Sequence, residues 1–174
     1  MVYTPTPARV HNGGMLGRWV GWLVLLGLAL AVGLGQRLPE FSLLDPKGNL
    51  VTPATMKKPA VIVFWASWCP VCRAEFPGLH RVAEETKVPF YVISREPKDT
   101  REVVLEYMKA YPRFLPLLAS EKDKPHEVAN RFKVVGQPWT FVVDAEGKVV
   151  ALFAGRAGRE ALLDALLLAG VELP

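Results

Sequence analysis

The chain contains two cysteines, Cys69 and Cys72, with Pro70 and Val71 between them. Two sulfurs three positions apart cannot staple distant parts of a small fold, but they can close on each other and exchange a disulfide with a third sulfur. An apolar run precedes them and a helical pattern begins with them. An exposed sulfur at the start of a helix faces unsatisfied backbone N–H groups and the positive end of the helix dipole, which favour thiolate over thiol. This assigns Cys69 as the attacking nucleophile. Cys72, one helical turn further in, is shielded and becomes the thiol that resolves a mixed disulfide. The competing readings are a metal site and inert packing. Structural zinc wants four ligands, and His11, His80 and His126 stand apart with no second cysteine pair. Cu(I) suits soft thiolates and stays open as a cargo reading. Inert cysteines are not expected beside Trp68 and Pro70 at a strand-to-helix junction.

The elements that must position this pair are legible from periodicity. Residues 60–65, AVIVFW, form a continuous apolar run of strand length, as expected for a strand buried on both faces. Residues 69–85 read as a helix with Pro77 inside it. Upstream, 41–45 and 50–51 flank a Pro-Lys-Gly-Asn turn and form a short hairpin, and 53–58 are irregular. Residues 90–94 are a second buried strand. A helix follows over 100–111, with Val103, Val104, Tyr107 and Met108 at helical spacing, then a brief helix over 127–133. Residues 139–143 and 149–153 form an antiparallel hairpin across Asp144-Ala145-Glu146-Gly147-Lys148, and 159–169 are a last helix. Strands alternating with helices and closing in a hairpin plus helix give an α/β fold, a mixed central sheet flanked by helices on both faces.

The chain divides into residues 1–37 and a folded domain, 38–174. Residues 19–36, WVGWLVLLGLALAVGLGQ, carry no charge and would span about 25 to 27 Å as a helix at about 1.5 Å per residue. Arg9 and Arg18 precede this run, and Trp19 and Trp22 sit at its N-terminal end. The arrangement predicts a cytoplasmic tail and a single transmembrane signal-anchor, with the domain outside the cytoplasm. A cleaved signal peptide, with Ala29-Leu30-Ala31 as a small-x-small processing site, is the alternative and implies the same location. A buried core helix is disfavoured because the run is apolar on every face. The net charge of +4 is scattered, without basic runs, so nucleic acid is not an expected partner.

The segment VIVFWASWCPVCRAEFPGL resembles the active-site segment of the thioredoxin superfamily. It is similar in particular to the membrane-anchored TlpA-like and ResA-like proteins and to the CcmG/DsbE proteins of cytochrome c maturation. Residues 135–144, VGQPWTFVVD, resemble the cis-proline segment of the same family. The resemblance covers nearly everything after Arg37 and implies a thioredoxin-like fold. It implies that Pro138 lies opposite the cysteines, with the backbone at Gln137 free to pair with an extended substrate, a β-augmentation. Trp68 and Pro70 would shape substrate access. Without the resemblance, Pro138 is a proline at the start of a strand.

The same resemblance gives Glu75 a role. In the ResA-like group a glutamate here lies beneath the active site and exchanges protons with the dithiol, whereas thioredoxins carry a buried aspartate where this chain has Val63. A buried carboxyl near a thiolate has a raised pKa suited to general acid–base work. On the residues alone, Glu75 reads first as a solvated glutamate paired with Arg73 or another neighbour. Trp139 departs from the cytochrome-maturation branch, which often has glutamate there. The implied activity is a thiol:disulfide oxidoreductase without cofactor or resident metal. It would act as a reductant of client disulfides, such as those of apocytochrome c or copper proteins, and be recharged by a membrane electron donor of the CcdA or DsbD type. A disulfide-forming oxidant and a Cu(I) chaperone for a respiratory oxidase are the alternatives.

Overall fold

The computed structural model describes residues 33–174. The anchor expected over 19–36 therefore lies almost wholly outside the described residues. Among those described, no helix is long and apolar enough to cross a membrane.

Seven strands and four helices follow in the order β1 (Leu43–Leu44), β2 (Leu50–Val51), β3 (Ala60–Trp65), α1 (Pro70–Thr86), β4 (Phe90–Ser94), α2 (Arg101–Met108), β5 (Phe114–Leu117), α3 (Pro125–Arg131), β6 (Trp139–Val143), β7 (Val149–Ala154) and α4 (Arg159–Leu168). Strands β1 and β2 make the small hairpin, and the main sheet has the order β5-β4-β3-β6-β7. Strand β3 pairs parallel with β4 and antiparallel with β6, so the sheet is mixed, as expected.

The alternation of side chains along β3 sorts the core into two layers. Val61, Val63 and Trp65 face α1, α2 and α4 through Phe76, Leu79, Val82, Val104, Met108, Leu162 and Leu166. Ala60, Ile62 and Phe64 face the opposite side, where Leu43 of the hairpin, Val128 and Ala129 of α3 and Phe132 at its C-cap close over them. Every residue of β3 is buried, which is why its sequence shows no polar alternation.

Several expectations need adjustment. Strand β5 was not foreseen. It is four residues long and contains Pro116, features that argue against a central strand but are tolerated at a sheet edge, where β5 lies. That edge is partly covered, because Leu44 and Leu118 exchange backbone hydrogen bonds of 2.9 and 2.8 Å. Helix α2 ends at Met108 rather than Tyr111, and Val103 points to solvent. Helix α3 starts two residues before the expected Glu127, with Pro125 in its first turn, where a missing N–H costs nothing. Residues just before Leu38 belong to the folded body. The Gly35 N–H donates to the Val149 carbonyl at 2.7 Å, the Val149 N–H returns a bond to Gln36 at 2.9 Å, and Arg37 bridges Lys148.

One defect stands in the middle of the sheet. Thr140, in β6 between β3 and β7, is fully buried and its hydroxyl has no hydrogen-bond partner among the described residues. An unmade bond on a buried hydroxyl costs about 1–3 kcal/mol, so Thr140→Val, which keeps the shape, should stabilise the domain by about 1 kcal/mol. Urea unfolding should show a higher midpoint with an unchanged slope. A lower midpoint would mean that the hydroxyl is satisfied in solution.

Candidate functional site

The site forms where three chain segments meet at one end of the sheet. Trp65, the last residue of β3, lies beside Ser94, the last of β4, and Phe64 pairs with Trp139, the first of β6. Each segment then leaves the sheet at the same place: β3 runs into Ser67-Trp68-Cys69, β4 into residues 95–99, and Pro138 immediately precedes β6.

Cys69 is the N-cap of α1, with extended backbone (φ −78°, ψ 109°), and Pro70 occupies the first turn. Its Sγ accepts the Cys72 N–H at 3.1 Å, so the sulfur itself caps the helix, where serine or aspartate oxygen usually does. The two cysteines are joined as a disulfide, with Cα atoms 5.3 Å apart, inside the usual range for a bridge. Cys72 is fully buried, as expected. Cys69 is also buried, at 3 % exposure, which corrects the expectation of an exposed sulfur. Its sulfur is engaged with that of Cys72, and the surface beside it is offered by Trp68, Pro70 and Val71.

Trp68 is 56 % exposed, and its indole N–H donates to Glu96 at 2.8 Å. The Glu96 carboxyl is held below the usual range, chiefly by the Lys98 N–H and then by that indole. The residue before Trp68 is tied from two sides. Asp99 accepts from the Ser67 N–H at 2.9 Å, from the Ser67 hydroxyl at 2.5 Å and from the Ser94 hydroxyl at 2.5 Å. Arg73 donates to the Ser67 carbonyl at 3.1 and 2.7 Å. Arg73 is thus committed to the active-site turn and makes no ion pair with Glu75.

Glu75 is 5 % exposed, and the solvated alternative does not hold. Its Oε1 accepts the Ala157 N–H at 2.5 Å, while Oε2 is buried without a partner among the described residues. Burial pushes its pKa up. The Ala157 N–H, the Arg156 charge and the Gly158 N–H oppose that shift without cancelling it. The turn that holds Glu75 lies between β7 and α4 and is framed by Gly155 (φ +100°) and Gly158 (φ +70°), conformations that side chains rarely adopt. Gly155 also donates its N–H to the Pro138 carbonyl at 2.8 Å, so one turn holds both Pro138 and the carboxyl.

The Gln137-Pro138 peptide bond is cis and Pro138 is buried. Gln137 is half-buried, and its side-chain oxygen accepts from Arg95 at 2.7 Å. Trp139 is half-buried against Phe141. Sequence reasoning did not find Arg95, Glu96, Asp99 or Ser67. The only available signal was a polar stretch following a buried strand, which any surface loop also shows. Among the described residues, no group of three or more His, Cys, Asp or Glu side chains is placed to hold a metal.

Comparison with known proteins places this geometry in a family. Residues 34–152 match the AhpC/TSA family. The thiol:disulfide interchange protein DsbE of Allochromatium vinosum is 38% identical over 112 residues, covering 63% of this chain and 60% of that protein. The thiol-disulfide oxidoreductase ResA of Bacillus thuringiensis subsp. konkukian is 26% identical over 131 residues, 74% of each chain. A crystal structure of a thio-disulfide isomerase from Thermus thermophilus is 83% identical, with a TM-score of 0.79, and covers 82% of this chain and all of that one. A disulfide capping the first turn of a helix beside a cis-proline, on a sheet of this order, agrees with these likenesses, and the chain belongs to the AhpC/TSA family, among thioredoxin-like proteins related to DsbE and ResA.

Proposed function

We propose that the protein is an extracytoplasmic thiol:disulfide oxidoreductase that reduces disulfides in client proteins. The observation that carries the reading is the N-cap contact: Cys69 Sγ accepts the Cys72 amide at 3.1 Å, so charge developing on that sulfur meets a donor and the helix dipole at no cost in reorganisation. Starting from the dithiol, the Cys69 thiolate attacks one client sulfur. A Cys69–client bond forms, the client disulfide breaks, and the second client sulfur leaves as thiolate. Cys72 gives up its proton and attacks Cys69 Sγ, which releases the first client sulfur. The client gains two electrons and leaves as two thiolates, which become thiols by taking one proton from Glu75 and one from solvent, and the protein returns to the disulfide form. Glu75 is the buried acceptor for the Cys72 proton, since its pKa is lifted and Oε2 is unoccupied.

The direction, the site in the cell and the clients rest on the family resemblance. Apocytochrome c and copper-protein disulfides are the proposed clients, a CcdA- or DsbD-type membrane protein the donor, and the charge-free run upstream of the domain the membrane anchor. The isomerase name of the Thermus thermophilus relative favours a second reading, in which a client thiol rather than Cys72 resolves the mixed disulfide.

Cys72→Ser should accumulate client covalently bound through Cys69, and Cys69→Ser should abolish insulin-disulfide reduction. Retention of reductase activity in Cys69→Ser would remove the basis of the mechanism. A reductant requires a potential near −270 mV rather than near −120 mV, about 150 mV apart and readily separated by equilibration with glutathione. Full catalysis of disulfide rearrangement by Cys72→Ser would favour the isomerase reading. Saturable Cu(I) uptake that protects both thiols, without insulin reduction, would favour the chaperone reading.

The Glu75 assignment carries a pH signature. An acid whose pKa rises on folding contributes stability that is complete below its unfolded value, here 4.5, and lost as pH climbs through the raised folded value. The native protein should weaken across that window, and Glu75→Gln, which cannot ionise, should flatten the profile. Urea midpoints from pH 4 to 8 test this, and parallel curves for the two proteins would contradict it.

A further inference from the structure

Three residues lead into Pro138 with no backbone hydrogen bond, among the described residues, to hold them. Val135 is 81 % exposed, and Lys133 just before it has a left-handed backbone (φ +58°). The Val134 N–H donates to Ala129, and the Pro138 carbonyl accepts from Gly155. Between those anchors, among the described residues, the backbone groups of Val135, Gly136 and Gln137 make no hydrogen bond within the protein. One side-chain bond spans the gap, from the Arg95 guanidinium to Gln137 Oε1 at 2.7 Å.

Arg95 is well placed to act as a fixed post. Its own N–H donates to the Trp65 carbonyl at 2.8 Å, which extends the β3–β4 ladder by one step toward the cysteines. Its Nε is buried, and the guanidinium enters no ion pair among the described residues, so no carboxylate competes with Gln137 for it. The neighbours of Arg95 tie the other wall of the site, since Glu96 holds Trp68 and Asp99 holds Ser67. Five consecutive residues after β4 thus hold both the turn that presents Cys69 and the segment that presents Pro138.

We propose that this segment is the positioning device of the redox site, and that Arg95 determines specificity for polypeptide disulfides by fixing Gln137. The inference rests on the thiol:disulfide reading above. An extended client needs a preformed backbone edge at Gln137 as well as a reactive sulfur, whereas a small disulfide needs the sulfur alone. Ordering a loose three-residue segment at each encounter weakens binding rather than chemistry. The unpaired backbone groups of residues 135–137 are the edge that the client completes.

Arg95→Met keeps the aliphatic stem and removes the donor. Its KM for reduction of a polypeptide disulfide, such as the insulin chains, should rise about tenfold with little change in kcat. The ratio of kcat/KM for insulin to kcat/KM for a small aromatic disulfide should fall by the same factor, about 1.4 kcal/mol of lost discrimination. Gln137→Met removes the acceptor, and the double variant should be no worse on insulin than either single change, since both delete one bond. Arg95→Lys, which keeps a donor, should recover part of the loss. Equal loss on both substrates, additive losses in the double variant, or an unchanged insulin KM would each overturn the proposal. If the native protein reduces neither substrate, the thiol:disulfide reading fails instead, and that result is visible before any variant is made.

Discussion

The structure depends on one contact, that of the Cys69 sulfur with the amide of Cys72. The first turn of every α-helix leaves backbone N–H groups without partners, and a side chain at the N-cap usually supplies an acceptor. Here the acceptor is sulfur, so the group that completes the helix is also one half of the redox pair. The helix therefore cannot be placed independently of the chemistry. Its long apolar face, with Phe76, Leu79, Val82 and Ala83 buried against the sheet, fixes the axis, and the axis fixes where the donors point. The aromatic contacts of Phe76 with Trp65, Tyr107, Tyr111 and Phe114 tie that face to β3, α2 and β5 at once.

Buried polar atoms without partners are otherwise avoided, because each costs stability. Of the five such side-chain atoms among the described residues, four belong to Trp65, Glu75, Arg95 and Thr140. Trp65 and Thr140 lie at or near the sheet end that carries the site, Glu75 follows the dithiol on α1, and Arg95 follows β4 there. The fifth, on Arg113, lies near His80, whose Nε2 accepts the Arg113 N–H at 3.2 Å. Incomplete satisfaction thus falls mostly on the side of the sheet that carries the site, and among the described residues the apolar layer beneath α3 and the hairpin has none. Proteins commonly depart from local optimality at functional sites.

The central strands were readable because burial on both faces leaves an uninterrupted apolar signature. The spans of β3, β4 and β6 match expectation to the residue. The dithiol and Pro138 were readable because their meaning comes from local context, a strand into a helix and a proline before a strand. Strand β5 was hidden because Pro116 is permitted only by its place at the sheet edge, a property of the assembled sheet and not of the segment. Arg95, Glu96 and Asp99 were hidden for a related reason. Each acts on a residue 28 to 42 positions away, and polar residues in a loop carry no mark of whom they will meet. Glu75 was separable from a surface glutamate only by the resemblance, since its spacing from Cys72 fits either fate.

Carrying the acid on α1 rather than on β3 has a structural consequence. At Val63 a carboxyl would sit on a strand whose every residue is buried, whereas from α1 the Glu75 carboxyl reaches the β7–α4 turn and binds Ala157. Two residues earlier, the same turn donates to the Pro138 carbonyl. An ionised carboxylate accepts an N–H more strongly than a neutral acid. The turn is therefore gripped more tightly when Glu75 has lost its proton and more loosely when it has taken one. In this fold a buried carboxyl and the support of the cis-proline share one short segment, so the protonation state of Glu75 and the hold on Pro138 are linked at the same place.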